Sequence, residues 1–249
     1  MGVESRFYVL PDESSYRPEP AKVCQLVKAF RTAGFLCDPS SPTFAASAHR
    51  AGQLSGQADY EGFIWKLLPG PDKHVGSLSA LETVLANLQH SDVVVKWPNS
   101  DLNLSSLKYP LTLVPGAEGV YYDIEFHLAA QTVYHTSEII EPFETIRCQC
   151  GTDLRQIEWS GRSPLYDSRL PNPCPSCHQP INYASLPLTL RDGFTGTESR
   201  VVGGAVYRFA VVVDCGKYWP DGQAQVARGF LSGIESTLGV RTRVLRDFY

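Results

Sequence analysis

The pattern of hydrophobic and polar positions predicts strands and helices that alternate along the chain. Strands are expected where β-branched and aromatic residues cluster, at residues 6–10, 63–68, 92–97, 207–214 and 240–245. Helices are expected where apolar residues recur every three or four positions, from Ala21 to Gly34, from Ser77 or Ser79 to Leu88, and from Val226 to Gly239. The two ends of the chain therefore share a strand–helix–strand order.

This order predicts an α+β fold, with a mixed or antiparallel sheet and helices that flank it. The similar ends suggest a core of two pseudo-repeated halves, built from residues 1–143 and 184–249, although the halves share no residue-level identity. Residues 144–183 would interrupt that core as an inserted segment. The chain has 249 residues, of which 43% are hydrophobic and 19% charged. That composition is typical of a globular protein that buries a sizeable core.

The clearest alternation of apolar and polar residues predicts a strand around residues 120–128. Its even-numbered residues are apolar and form one face, and Asp123, Glu125 and His127 lie on the polar face. Ala129-Ala130-Gln131 predicts a turn into a second strand, which would carry His135. A polar face of this kind is typical of a sheet surface in contact with water, and that is the favoured interpretation. Carboxylates and imidazoles that converge on a sheet could instead bind a second metal or perform acid–base chemistry.

Four of the seven cysteines form two tight pairs, Cys148-Gln149-Cys150 and Cys174-Pro175-Ser176-Cys177. Thiolates two or three residues apart can reach one ion, and a hairpin that returns the second pair to the first would complete a tetrahedral zinc site. Gly151 follows the first pair, where its tolerance of positive φ eases a tight turn. Four thiolates fill the coordination shell, so His178 would be a spare ligand and the zinc would be structural.

Two other interpretations of the cysteines are disulfide bonds and unrelated buried thiols. The odd number of cysteines and the absence of a signal-peptide pattern argue against disulfides. Unrelated thiols would not explain two tight pairs. Cys24 and Cys215 lie in apolar surroundings along the sequence and are interpreted as small buried hydrophobes.

With this spacing, residues 145–183 resemble a zinc ribbon, although the first pair has one residue between its cysteines where ribbons normally have two. The resemblance implies a hairpin whose tip lies within the 23 residues between Cys150 and Cys174. This tip combines aromatic residues with arginines: Trp159, Arg162, Tyr166 and Arg169. Such a mixture is enriched at protein–protein hot spots and on single-stranded nucleic-acid platforms. A solvent-covered loop with Trp159 packed inward is the alternative.

The distribution of charge favours a protein partner over a nucleic acid. The formal net charge is −4, and the segment that contains the cysteines is nearly neutral, without the basic stripe that phosphate binding requires. Nucleic-acid binding would need Arg241, Arg243 and Arg246 to join the arginines of the tip on one positive face.

Together these features predict a cytoplasmic zinc-binding protein that acts as a binding or adaptor module and does not cross a membrane, since its apolar runs are too short. The alternative is an enzyme with an active site in the α+β body and a purely structural zinc ribbon. That site would use Asp123, Glu125 and His127, or the loop after Cys215, where Lys217 would lower the pKa of the thiol.

Overall fold

The computed structural model describes residues 5–36, 63–67, 73–75, 77–97, 108–112, 122–134, 147–154, 173–182, 185–191, 198–202, 206–215 and 224–248. In chain order the elements of these ranges are β1 (Ser5–Pro11), α1 (Pro20–Ala33), β2 (Phe63–Leu67), β3 (Lys73–Val75), α2 (Leu78–Asn87), β4 (Val93–Trp97), β5 (Asp123–Tyr134), β6 (Pro187–Arg191), β7 (Glu198–Val202), β8 (Val206–Asp214), α3 (Arg228–Leu238) and β9 (Thr242–Phe248).

Seven of these strands form one sheet in the order β3-β2-β4-β5-β8-β1-β9. Every neighbouring pair in the sheet is antiparallel. Strands β6 and β7 form a separate antiparallel pair. The predicted α+β class is therefore confirmed, and the sheet is antiparallel.

One strand–helix–strand arrangement occurs twice in the large sheet. Strands β3 and β4, which α2 connects, lie on either side of β2. Strands β8 and β9, which α3 connects, lie on either side of β1 in the same way. The N-terminal segment β1–α1–β2 does not follow this arrangement, because three strands, β4, β5 and β8, lie between its two strands in the sheet. Helix α1 packs against both α2 and α3 instead.

An aromatic cluster attaches the helices to one face of the large sheet. The ring of Phe30 in α1 stacks on Phe230 in α3, with centroids 4.4 Å apart. Phe30 also stacks on Phe126 of β5 at 6.2 Å, and Phe35 meets the edge of both helical rings. Burial of rings of this size contributes much of the stability of a small domain, so this cluster forms the centre of the helix-side core.

The helix ends follow the predicted caps. Gly34 and Gly239 adopt left-handed conformations with φ of 83° and 73°, and their N–H groups bond to carbonyls in the last turn of each helix. Ser77 caps α2 through a 3.1 Å hydrogen bond from the N–H of Ala80. Val226, predicted inside the last helix, lies just before α3 and forms a β-bridge instead.

Strand β5 contains a bulge where the sequence predicted a turn. Residues 129–131 continue the strand, and the register with β8 shifts across them. The backbone of Ala130 is held on both sides, since its N–H donates to Asp92 Oδ1 at 2.8 Å and its carbonyl accepts from Arg208 Nη2 at 2.9 Å. The side chains of Asp92 and Arg208 thus bond to the backbone groups of Ala130 at the bulge. The predicted turn is wrong, because residues 129–131 remain in the strand.

The opposite face of the sheet is also buried. Its apolar cluster draws on several strands and contains Tyr8, Leu10, Val94, Ala129, Val133, Val206, Tyr207, Ala210, Val212 and Leu245. Four residues of the cysteine segment belong to the same cluster: Cys148, Leu154, Cys174 and Ile181. The sheet therefore lies between the three helices on one side and the cysteine segment on the other.

Candidate metal centre

The four paired cysteines lie together beside the second face of the sheet. Their sulfurs are all within 4.8 Å of one another. The Sγ atoms of Cys148 and Cys177 are 3.6 Å apart, and those of Cys150 and Cys174 are 3.7 Å apart. A zinc–sulfur bond of about 2.3 Å places the corners of a regular tetrahedron about 3.8 Å apart. The four thiols thus match the dimensions of a tetrahedral sulfur site and could hold a metal ion.

The first cysteine pair lies in a tight turn that Cys148 closes. Its N–H donates to the carbonyl of Thr152 at 2.9 Å, and its carbonyl accepts from the N–H of Gly151 at 2.8 Å. Gly151 has a φ of 88°, the positive φ for which a glycine suits this position. The sulfurs accept backbone hydrogen bonds as well, Cys148 from the N–H of Cys150 and Cys150 from that of Thr152.

The second pair forms a similar turn that is one residue longer. The N–H of Cys174 donates to the carbonyl of Gln179 at 3.0 Å, and its carbonyl accepts from the N–H of His178 at 2.9 Å. His178 has a φ of 57°, so it repeats the left-handed conformation of the glycine after the first pair. Backbone N–H groups also point at the sulfurs, those of Ser176 and Cys177 at Cys174 and that of Gln179 at Cys177. Both turns therefore offset the charge of bound thiolates.

The surroundings shift the pKa values of the thiols in opposite directions. Hydrogen bonds from the side chain and backbone of Thr152 lower the pKa of Cys150 to about 6. The N–H of Cys150 acts to lower the pKa of Cys148, but burial and the other three thiols outweigh it and raise the pKa to about 12. A metal ion would bind all four sulfurs as thiolates, so its binding must release protons.

Burial differs across the centre. Cys148 and Cys174 are buried with Leu154 and Ile181 in the apolar cluster of the sheet, whereas Cys150 is exposed. The side chain of His178 is exposed and does not belong to the cluster of four cysteine sulfurs. The centre therefore faces water at Cys150, whereas Cys148 and Cys174 pack the cysteine segment against the sheet.

The predicted partner surface, Trp159, Arg162, Tyr166 and Arg169, lies outside the described residues. His135 and Lys217 also lie outside them. The segment that carries this surface joins the two cysteine turns, so a metal ion held by the four sulfurs would fix both of its ends.

Asp123, Glu125 and His127 are buried, and the prediction of a solvated sheet face is wrong. Their exposed fractions are 7%, 9% and 3%. His127 Nε2 lies 2.8 Å from Glu125 Oε2, and the ring of Tyr8 meets the imidazole edge-on at 6.0 Å. His127 Nδ1 is buried and has no hydrogen-bond partner in the described part of the chain. The alternation of the strand was predicted correctly, but the layer that covers its polar face comes from elsewhere in the sequence.

Ion pairs between neighbouring strands complete this buried cluster. Lys96 Nζ of β4 lies 2.5 Å from Asp123 and 3.9 Å from Glu125, and Arg6 of β1 pairs with Asp214 of β8 at 2.9 Å. Sequence reasoning missed Lys96 and Arg6. The available signal was the single lysine in the otherwise apolar strand β4, since a charge there needs a partner on the same face.

The charges in this cluster oppose the effect of burial. Burial raises the pKa of Asp123 above its ordinary value, although Lys96 acts to lower it. Burial also acts to raise the pKa of Glu125, but the hydrogen bond and charge of His127, with the charges of Arg6 and Lys96, lower it to about 2. Burial alone would lower the pKa of Lys96, yet the neighbouring carboxylates raise it well above its usual range.

Two cysteines outside the centre, Cys24 and Cys215, are buried on the helix side of the sheet. Cys215, the alternative nucleophile, is 2% exposed and lies in the helix-side core. Cys24 belongs to the same core and its sulfur lies 3.4 Å from the carbonyl of Leu78. Both match the interpretation as buried hydrophobes.

Two of the C-terminal arginines lie on β9, where Arg243 pairs in register with Leu10 and Arg246 with Phe7. Arg243 Nε also donates to Asp12 Oδ1 at 3.2 Å.

Comparisons of the chain with protein-family models, with curated proteins and with solved structures find no match. Within the described ranges, no helix has the length and apolar character needed to cross a bilayer.

The residues after each cysteine pair offer a matched test of the two turns. Gly151→Ala should lower the free energy of unfolding by about 1 kcal/mol, because an added Cβ meets no atom within 4 Å and the cost is that of the left-handed backbone alone. His178→Gly should raise it by up to about 1 kcal/mol by relieving the same strain. Urea unfolding of metal-loaded protein measures both, with Gln149→Ala in the first turn as control. A lower free energy of unfolding in His178→Gly would contradict the claim that His178 adopts the same left-handed conformation as Gly151.

The lowered pKa of Glu125 predicts a specific pH dependence. A carboxylate whose folded pKa is about 2 stabilises the fold above its ordinary pKa of 4.5, and that contribution disappears as the pH falls toward 2. The difference in unfolding free energy between the wild type and Glu125→Gln should therefore shrink over this interval, by on the order of 3 kcal/mol.

Urea unfolding between pH 2 and pH 6 measures this difference, and Glu198→Gln at an exposed position of β7 is the control. Metal loss at low pH affects both proteins and cancels in the comparison. A difference that stays constant across the interval would show that Glu125 is not held as a carboxylate by its neighbours.

Proposed function

We propose that the protein holds one structural zinc ion at Cys148, Cys150, Cys174 and Cys177, and that the zinc site fixes a loop used to bind a protein partner. The observation that carries the proposal is the spacing of the sulfurs, which are 3.6 Å apart in Cys148 and Cys177, 3.7 Å apart in Cys150 and Cys174, and all within 4.8 Å of one another. Four thiolates in a tetrahedral arrangement are the donor set of structural zinc sites. Such a site needs reduced thiols, so the proposal includes a cytoplasmic location.

The zinc would act by ordering a segment with few apolar contacts of its own. It supplies no open coordination position once four sulfurs are bound, so its role is to hold the two turns together. Binding free energy at such a site becomes folding free energy, because the unfolded chain has no preformed site. Removal of the ion should therefore release the cysteine segment from the sheet.

Metal analysis tests the ion directly. The purified protein should contain about one equivalent of zinc, and Cys174→Ser should lower this below about half an equivalent because one thiolate of a closed shell is lost. Cys24→Ser is the matched control, since Cys24 is buried outside the centre and serine keeps a donor for the carbonyl of Leu78. Substoichiometric zinc in the wild type, or equal zinc in both variants, would contradict the proposal.

The loop between the two turns is the proposed partner surface. What supports this is its composition, because Trp159, Arg162, Tyr166 and Arg169 belong to the residue types that dominate protein–protein hot spots. The near-neutral charge of the segment favours protein over a phosphate backbone. A loop whose ends are fixed by metal loses less conformational entropy when it binds.

The variant Trp159→Ala/Tyr166→Ala should abolish partner binding while zinc content stays at about one equivalent, because the loop carries none of the four thiolates. Quantitative affinity capture measures the loss, with the exposed-arginine pair Arg200→Ala/Arg228→Ala as control. The same partner should also be lost on chelation. A partner retained equally by the wild type and the double loop variant would contradict the proposed surface.

An acid–base centre at Glu125 and His127 is the second candidate function. Their 2.8 Å contact and the buried Nδ1 of His127, which has no partner among the described residues, favour it, because a general base needs an oriented carboxylate on one nitrogen and a free second nitrogen. The small exposed fraction of His127 means that this chemistry would require an opening of the covering layer. Loss of an enzymatic activity of the wild type in both His127→Gln and Glu125→Gln, with unchanged zinc content, would support the acid–base centre.

A further inference from the structure

A cavity of about 210 Å³ lies beside the first turn of α1, and none of the four metal ligands lines it. Two arginines from distant parts of the chain line it, Arg17 from the segment before α1 and Arg208 from β8. Gln89 and His90, just after α2, and Glu19 at the start of α1 complete the polar part of the wall. Its polar lining therefore contains more positive than negative side chains.

Backbone carbonyls hold both guanidinium groups in place. Arg17 donates from Nη1 to Ser91 O and from Nη2 to Leu88 O, each at 3.1 Å. Arg208 donates to the bulged Ala130 O at 2.9 Å. Each guanidinium has five N–H donors in a rigid fork, so both retain donors after making these bonds. The Nε of Arg208 is buried and has no hydrogen-bond partner in the described part of the chain.

The two arginines are close enough to repel each other. Burial lowers the pKa of Arg17, and the positive charge of Arg208 lowers it further, whereas Asp92 acts in the opposite direction. Asp92 is buried and accepts the N–H of Ala130. The nearby carboxylates are Asp92, which is bound to the N–H of Ala130, and Glu19 in the wall. An added anion between the two guanidinium groups would relieve their mutual repulsion.

We propose that this cavity binds a small phosphate-bearing anion between Arg17 and Arg208. Guanidinium forks match the geometry of phosphate oxygens and bind them through paired charge-assisted hydrogen bonds. The positive end of the α1 dipole at Pro20 adds to the attraction, as negative charge is favoured at a helix N-terminus. The volume is below the roughly 300 Å³ at which pockets for drug-sized ligands begin, so the ligand is inorganic phosphate or a short monoester.

The test is a titration of the zinc-loaded full chain with inorganic phosphate, followed by amide NMR shifts, against chloride at matched ionic strength. Phosphate should give saturable shifts at the amides of Arg17, Ala21 and Ala130 that chloride does not give. Methyl phosphate is the second titrant. Binding of inorganic phosphate would identify free phosphate as the ligand, and binding of methyl phosphate would identify a phosphate carried on a small molecule. Either result would place the phosphate group between the two arginines. Binding only by a phosphoserine peptide would overturn the small-ligand proposal.

Three variants make the test specific. Arg208→Gln should weaken phosphate binding by about tenfold, the equivalent of one charge-assisted hydrogen bond. Glu19→Gln should tighten it by about threefold because it removes a carboxylate from the wall, and it keeps the proposal testable where Arg208→Gln unfolds. Arg200→Gln, an exposed arginine on β7, should leave the affinity unchanged. Phosphate shifts no larger than those of chloride, or equal affinities in Glu19→Gln, Arg200→Gln and the wild type, would overturn the proposal.

Discussion

Apolar side chains cover both faces of the large sheet, and each face has to be kept from water. Three helices cover one face through the aromatic cluster around Phe30. On the other face, the cysteine segment contributes Cys148, Leu154, Cys174 and Ile181 to the buried cluster. Four small contributions cannot order such a segment by hydrophobic burial alone. The proposed structural zinc would supply the missing free energy, since such ions contribute roughly 10–16 kcal/mol of apparent binding free energy in small peptides.

Because both faces of the sheet are buried, the charged side chains on its second face are buried as well. Asp123, Glu125 and His127 are buried, and the ring of Tyr8 in β1 meets the imidazole of His127 edge-on. Buried carboxylates need counter-charges: Lys96 of the adjacent strand β4 pairs with Asp123, and Arg6 of β1 pairs with Asp214 of β8. Removing one partner of such a cluster leaves an uncompensated charge, which costs several kcal/mol in buried ion pairs.

Local features of the sequence were enough to predict the helix ends and the cysteine grouping, because each depends on a few neighbouring residues. Gly34 and Gly239 adopt the left-handed conformation and Ser77 caps α2 by local hydrogen bonds. The burial of His127 and the bulge at Ala130 could not be predicted in this way. Their partners, Tyr8, Asp92 and Arg208, are brought together only by the order of strands in the sheet. The arginine-lined cavity escaped sequence reasoning for the same reason.

X-ray absorption at the zinc K-edge of the purified protein tests the proposed four-sulfur zinc site. The expected first shell contains four sulfur atoms at about 2.3 Å, with no nitrogen or oxygen ligand. That result would place all four thiolates, including the exposed Cys150, on one ion. A shell with a nitrogen or oxygen in place of a sulfur, a coordination number above four, or another metal in the site would contradict it.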